Sequence, residues 1–211
     1  MRGILFTGGE GPGPETSRRL AEGAALIVAA DSGLVAAETA GLRPDWALGD
    51  MDSLDDPRRL ENYPPGRVLR QPEAKDYTDT ELAFSLLTEQ GCDDIWIIGG
   101  GGGRADHLFA IRSLFERDPF PTRWITAGED MFCLAGPGKL ALSRRAGELV
   151  SVFPLGGGPW KAESGGLKWP LDGLSWNRGF FGLSNEAETG DFSIRALAGR
   201  FLVIIPGPPS I

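Results

Sequence analysis

The sequence has one histidine, His107, and only two cysteines, Cys92 and Cys133. A lone histidine excludes histidine-rich metal sites and paired-histidine catalysis. A serine-hydrolase triad would have to use it, yet no Gly-x-Ser-x-Gly elbow occurs. Two cysteines cannot build a disulfide framework for 211 residues and lack zinc-site spacing, so both read as core thiols. The longest uninterrupted apolar run, Ala24 to Ala30, is too short to cross a bilayer. Met1-Arg2-Gly3-Ile4-Leu5-Phe6 leads straight into glycines, without the long apolar stretch of a secretory signal, so a cytoplasmic protein is expected. Bases are also in deficit, 21 against 29 acids, which disfavours nucleic-acid contact because phosphate backbones require clustered Lys and Arg. The 41% hydrophobic content is ordinary for a globular chain with a real core.

The acidic excess is uneven. Residues 45 to 106 hold 14 of the acids and 6 of the bases, so the rest of the chain is neutral. Within that segment Asp55, Asp56, Glu61, Asp93 and Asp94 read as a solvated face. The 31 glycines and 16 prolines punctuate short apolar runs rather than forming a linker. Strands are expected at 4–6, 25–30, 46–48, 95–98 and 123–126. Helices are expected at 16–23, from an Asp31 or Ser32 cap to Gly41, at 79–90 and at 104–115. This alternation predicts a three-layer, mainly parallel α/β domain. Beyond residue 127 no helical stripe survives uninterrupted. Strand-like pieces at 131–134, 140–143, 149–153, 166–169, 192–197 and 201–205 predict an antiparallel β-sandwich. The expected division is 1–127 and 128–211.

Three clusters can carry chemistry. Gly49-Asp50-Met51-Asp52-Ser53 follows a short strand; on an extended chain Asp50 and Asp52 share a side and suit magnesium, while Gly49 leaves room for a ligand. Taken alone, Asp-x-Asp also fits a turn with capping acids. Lys75-Asp76-Tyr77-Thr78-Asp79 opens a helix, where Thr78 or Asp79 is an N-cap and Lys75 adds a cation for phosphate. Gly99 to Gly103, followed by Arg104-Ala105-Asp106-His107, places glycines between strand and helix, with Arg104 as a forked anion clamp. It matches neither a Walker loop nor Gly-x-Gly-x-x-Gly, and a flexible turn is the plainer reading. Thr7-Gly8-Gly9-Glu10-Gly11 is either a further backbone approach to a nucleotide or an ordinary loop. His107 starts a helix and either positions Asp106 or is structural.

In order and spacing, Ala30-Asp31-Ser32-Gly33, Gly49-Asp50-Met51-Asp52-Ser53, Lys75-Asp76-Tyr77-Thr78-Asp79 and Gly102-Gly103-Arg104-Ala105-Asp106-His107 resemble the thiamine pyrophosphokinase family. Gly166-Leu167-Lys168-Trp169-Pro170-Leu171 and Gly182-Leu183-Ser184-Asn185-Glu186 are similar to that family's thiamine-binding β domain. The resemblance implies Mg2+-dependent transfer of a diphosphate from ATP to the hydroxyl of thiamine, giving thiamine diphosphate and AMP, in a homodimer. It implies Asp50, Asp52 and Asp79 as metal ligands. ATP contacts would come from Asp31, Lys75, Gly102, Gly103, Arg104 and Asp106, and thiamine contacts from Ser184, Asn185 and Trp169. Asp76 or Asp79 would accept the hydroxyl proton. A buried core role for Trp169 is the alternative to a cation–π contact with the thiazolium. The sequence departs from the family at Leu108-Phe109-Ala110-Ile111, where an asparagine is common. Two other functions fit the acidic half: a pyrophosphokinase for another alcohol, such as a hydroxymethylpterin, and a noncatalytic nucleotide-binding regulator.

Overall fold

A computed structural model describes residues 1–54, 56–72 and 76–209. The chain separates into two compact units, Met1–Gly128 together with the chain from Pro208, and Glu129–Gly207.

Among the described residues the first unit holds six strands, β1 (Arg2–Phe6), β2 (Leu26–Ala30), β3 (Trp46–Gly49), β4 (Val68–Arg70), β5 (Asp94–Ile98) and β6 (Arg123–Ile125). All pair in parallel, in the order β6-β5-β1-β2-β3-β4. Parallel strands need crossovers, which are provided in part by α1 (Pro14–Leu20), α2 (Gly33–Thr39), α3 (Asp79–Glu89) and α4 (Ala105–Leu114). Strand alternation sorts the faces. Ile4, Phe6, Ala29 and Ala47 pack with Leu20 of α1 and with Leu34 and Ala37 of α2. Gly3 points the other way, against Leu87 of α3. The chain runs outward from β1 to β4 and then returns to the other side of β1 as β5. The strand order therefore reverses between β1 and β5, and a ligand crevice is expected at the carboxyl ends there.

Ser32 stands at the N-cap of α2 as expected, but it makes no side-chain cap bond. Two expectations need correction in this unit. β4 was not expected; its three residues sit between Pro65 and the loop to α3, too short a run to show alternation. Asp94 is not simply solvated: it accepts hydrogen bonds from Arg2 Nε (3.0 Å), Trp96 Nε1 (2.8 Å) and Thr122 Oγ1 (2.6 Å). Burial opposes its ionisation, but these bonds outweigh burial and hold the carboxyl below its usual range. Asp55 lies outside the described residues.

The second unit is all β. The strands β7 (Glu129–Ala135), β9 (Leu149–Leu155), β11 (Gly182–Glu186) and β13 (Arg200–Pro206) form an antiparallel sheet in the order β11-β9-β13-β7. The second sheet, β10-β12-β8, contains β8 (Gly138–Ser143), β10 (Lys161–Gly165) and β12 (Asp191–Ala198). Val150, Val152, Phe201 and Val203 from one sheet meet Ala162, Ile194 and Ala196 from the other in a single apolar core. This is the sandwich layout. Within it Asp130, fully buried, is paired with Arg144 at 2.8 Å. The strand expected at 166–169 lies elsewhere: Gly166, at φ +78, would bring a side chain to 2.2 Å from the Asp191 carbonyl, and extension stops before it. The real strand, β10, is polar apart from Ala162 and so was invisible to an apolar pattern. Cys92 is buried and Cys133 half-buried; burial pushes the Cys133 thiol up to about 12.

Candidate active site

A cavity of about 700 Å³ opens at the carboxyl edge of the parallel sheet. Its wall is built from the loops after β1, β2 and β3, the first turn of α3, the glycine run after β5 and one face of α4.

Asp31 follows β2 with φ +46, a conformation non-glycine residues adopt rarely and mostly at sites of function. Its amide donates to the Leu48 carbonyl at 3.0 Å and its carbonyl accepts from Leu34 N–H at 2.9 Å, so the strained residue is held at both ends. Gly49 makes room for its side chain: at φ +146, a Cβ on Gly49 would lie 1.8 Å from Asp31 Oδ1. The space at Gly49 expected for a ligand is thus filled by a carboxylate of the chain itself. Carboxylate oxygens of Asp31, Asp50 and Asp79 all lie within 4.8 Å of one another, each half-buried. Burial, with the charge of Asp79 and then of Asp50, raises the Asp31 carboxyl to about 7. An all-oxygen donor set of this kind suits a hard divalent ion such as Mg2+.

Asp52 was expected in this set, but Met51 at φ +67 breaks the extended chain on which the same-side argument rested. Asp52 is exposed on the cavity wall, and its amide donates to Asp50 Oδ1 at 3.1 Å. Asp31, expected to contact ATP, stands in the carboxylate set instead. Lys75 lies outside the described residues. Asp76 is exposed at a bend before α3.

Thr78 is the N-cap of α3 in a reciprocal capping box: its Oγ1 accepts from Glu81 N–H at 3.2 Å, and Glu81 Oε2 accepts from Thr78 N–H at 2.8 Å. The cap sets Asp79 in the first turn facing the cavity. Thr7, of the glycine loop noted in the sequence, and Thr80, not singled out there, share a hydroxyl–hydroxyl bond of 2.7 Å that ties this turn to the loop after β1. Arg104 and His107 line the cavity. Arg104 is exposed and paired with Asp106, Nε to Oδ1 at 3.1 Å, which drives the Asp106 carboxyl down to about 2. Gly102 and Gly103 both have φ +63 and also line the cavity.

In the second unit Asn185 is buried and bonded to the backbone of Trp169 and of Glu186, whose N–H donates to its Oδ1 at 2.9 Å. Its Oδ1 accepts from Trp169 N–H at 3.1 Å and its Nδ2 donates to Trp169 O at 2.6 Å. Trp169 is 52% exposed, so it is not a core tryptophan. Lys168 Nζ stands 4.6 Å from its ring centroid. Ser184, at φ +56, is exposed, and its amide donates to Ser151 Oγ at 3.1 Å.

A parallel sheet with a carboxylate triad and a cavity at its carboxyl edge is the layout of α/β proteins that bind ligands outside the carboxyl ends of their strands. Residues 17–119 match the family model described as thiamin pyrophosphokinase, catalytic domain. The thiamine pyrophosphokinase of Bacillus subtilis is 42% identical over 94 residues, 43% of this chain and 44% of that relative. The match thus spans less than half of the curated relative. A crystal structure of the enzyme from the same species superposes with TM-score 0.81 at 27% identity, covering 99% of this chain and 100% of that one. The enzyme from Geobacillus thermodenitrificans gives 0.75 at 26%, covering 100% and 99%. That from Candida albicans, 17% identical with TM-score 0.72, covers 98% and 88% and shows the shared fold alone. The chain is thus similar to thiamin pyrophosphokinases in sequence over residues 17–119 and in fold over nearly its whole length.

Proposed function

We propose that the protein transfers the diphosphate of ATP to the hydroxyl of thiamine, giving thiamine diphosphate and AMP with Mg2+. The observation that carries this reading is the convergence of Asp31, Asp50 and Asp79 on one edge of a nucleotide-sized cavity. These three residues would hold the metal, which when bound supplies charge neutralisation on the phosphate oxygens. Asp52 stands beside them. Lys75 and Arg104 add fixed positive charge for the polyphosphate, Arg104 exchanging its Asp106 partner for phosphate. The thiamine oxygen attacks the β-phosphorus in line, the bond to the α,β-bridging oxygen breaks, and AMP leaves with that oxygen. Asp76 or Asp79 would accept the hydroxyl proton. Trp169 offers an exposed aromatic face to the thiazolium, and Asn185 acts through Trp169 by fixing its backbone. Ser184 is the further thiamine contact.

The exposed apolar side chains of the second unit, among them Trp169, Phe181 and Leu183, support a homodimer as the working form. The cytoplasm is the proposed location. Among the described residues no helix is long and apolar enough to cross a membrane. The pterin and regulator readings gain no support from the comparisons. Incubating the protein with ATP, Mg2+ and thiamine should yield AMP and thiamine diphosphate in equal amounts. Turnover only with a pterin alcohol, or ATP binding without turnover of any alcohol, would overturn the assignment.

A further inference from the structure

Glu10 lies where the strand order reverses. Its amide donates to the Gly101 carbonyl at 2.7 Å and its carbonyl accepts from Gly101 N–H at 3.0 Å, so the loops after β1 and β5 are clasped together. Gly100 N–H adds a bond to Gly8 O at 2.8 Å. The Glu10 side chain then runs over Gly102: a Cβ there would stand 2.5 Å from Glu10 Cδ and 2.7 Å from Oε1. The glycine at 102 therefore makes room for a carboxylate of the chain, and that carboxylate is exposed on the cavity wall.

A phosphate seated on Gly102 would meet this negative charge at contact distance. A sugar hydroxyl or an exocyclic amino group would instead find an acceptor. Next to Glu10, Ile111 of α4 packs against Gly100, and Ala110 and Leu114 extend an apolar wall suited to a flat ring. Asp31 and Asp50 follow β2 and β3, one and two strand spacings from β1, roughly 5 and 10 Å. The cavity thus has a carboxylate-triad side and, toward α4, a side where Glu10 stands by Ala110, Ile111 and Leu114, with Arg104 and His107 at the start of that helix.

We infer that Glu10 binds the nucleoside half of the nucleotide by accepting a hydrogen bond from a ribose hydroxyl or the base amino group, which orients the triphosphate toward Asp31, Asp50 and Asp79. The inference rests on the ATP reading above and adds to it a specificity-determining residue.

The test is calorimetric binding with Mg2+ and without thiamine, using wild type, Glu10→Gln and Glu10→Ala. The ligands are ATP, 2′-deoxy-ATP, 3′-deoxy-ATP, purine riboside triphosphate, which lacks the amino group, and tripolyphosphate. In the wild type, removing the donor that pairs with Glu10 should weaken binding about tenfold or more, the scale of a hydrogen bond to a charged group. In Glu10→Ala the same deletion should cost nothing further, while tripolyphosphate binding is retained. Equal penalties in wild type and variants for all three analogues would overturn the inference. So would a loss of tripolyphosphate binding as large as that of ATP, since it would make Glu10 a metal ligand. Wild type that binds ATP no better than tripolyphosphate would instead overturn the ATP reading on which the inference stands.

Discussion

At Gly49 the site depends on the absence of one methyl group. An alanine there would set its Cβ 1.8 Å from Asp31 Oδ1, whereas real Cβ contacts essentially never fall below 3.0 Å. The carboxylate must therefore retreat by about 1.2 Å or more, since repulsion rises steeply inside contact distance. Metal–ligand distances are held to within about 0.2 Å, so Asp31 leaves the set it forms with Asp50 and Asp79. A displacement of about 1 Å at a catalytic centre can cost about 100-fold in rate, and that loss in turnover is expected of Gly49→Ala. The left-handed φ adds a folding cost of about 1–3 kcal/mol, which thermal melting would show separately. The assay is the initial rate of AMP release at saturating ATP and thiamine across a Mg2+ titration, whose midpoint should move upward. Asp31→Ala serves as the control: with the carboxylate gone there is nothing to displace, so adding Gly49→Ala should lower the rate little further. A folded Gly49→Ala enzyme with wild-type rate and wild-type Mg2+ requirement would refute the reasoning. So would full multiplication of the two losses in the double variant.

Asp31 also predicts a pH dependence. Its folded carboxyl is raised to about 7 from an ordinary value near 4, so between those values the folded state binds more protons than the unfolded one. In metal-free protein this residue's contribution to stability therefore falls as pH rises from about 4 to about 7, and Asp31→Asn should remove that fall. Mg2+, which competes with the proton, should raise the melting midpoint more at pH 7.5 than at pH 5.5; an equal rise would contradict the assignment. In the second unit, Asp130→Ala leaves Arg144 buried without this carboxylate and should destabilise by about 3–5 kcal/mol. Denaturant melting would show it, and a change below about 1 kcal/mol, the scale of a surface pair, would contradict the buried pairing.

The elements with strong local signals were legible in the sequence. Thr78 and Glu81 announce the start of α3, and the runs at β1, β2 and β5 are apolar because both faces of a parallel sheet are covered. β10 and β11 were not legible, because Lys161–Gly165 and Gly182–Glu186 are mostly polar and owe their strand geometry to neighbouring strands rather than to their own composition. The acidic site was half legible. Asp50 and Asp79 are marked by their motifs, but the exchange of Asp52 for Asp31 follows from a left-handed Met51 and from a contact across to Gly49, neither of which spacing encodes. Glu10 was named only as part of its glycine loop, and the place of its side chain was hidden for the same reason: Gly102 is brought to it only when β1 and β5 lie side by side.

The central claim is that Asp31, Asp50 and Asp79 together hold the divalent cation. Electron paramagnetic resonance of bound Mn2+, titrated in the presence of α,β-methylene-ATP, tests it with wild type, Asp31→Asn and Asp52→Asn. A saturable site is expected in the wild type, weakened far more by Asp31→Asn than by Asp52→Asn. Wild-type Mn2+ affinity in Asp31→Asn, with loss confined to Asp52→Asn, would contradict it.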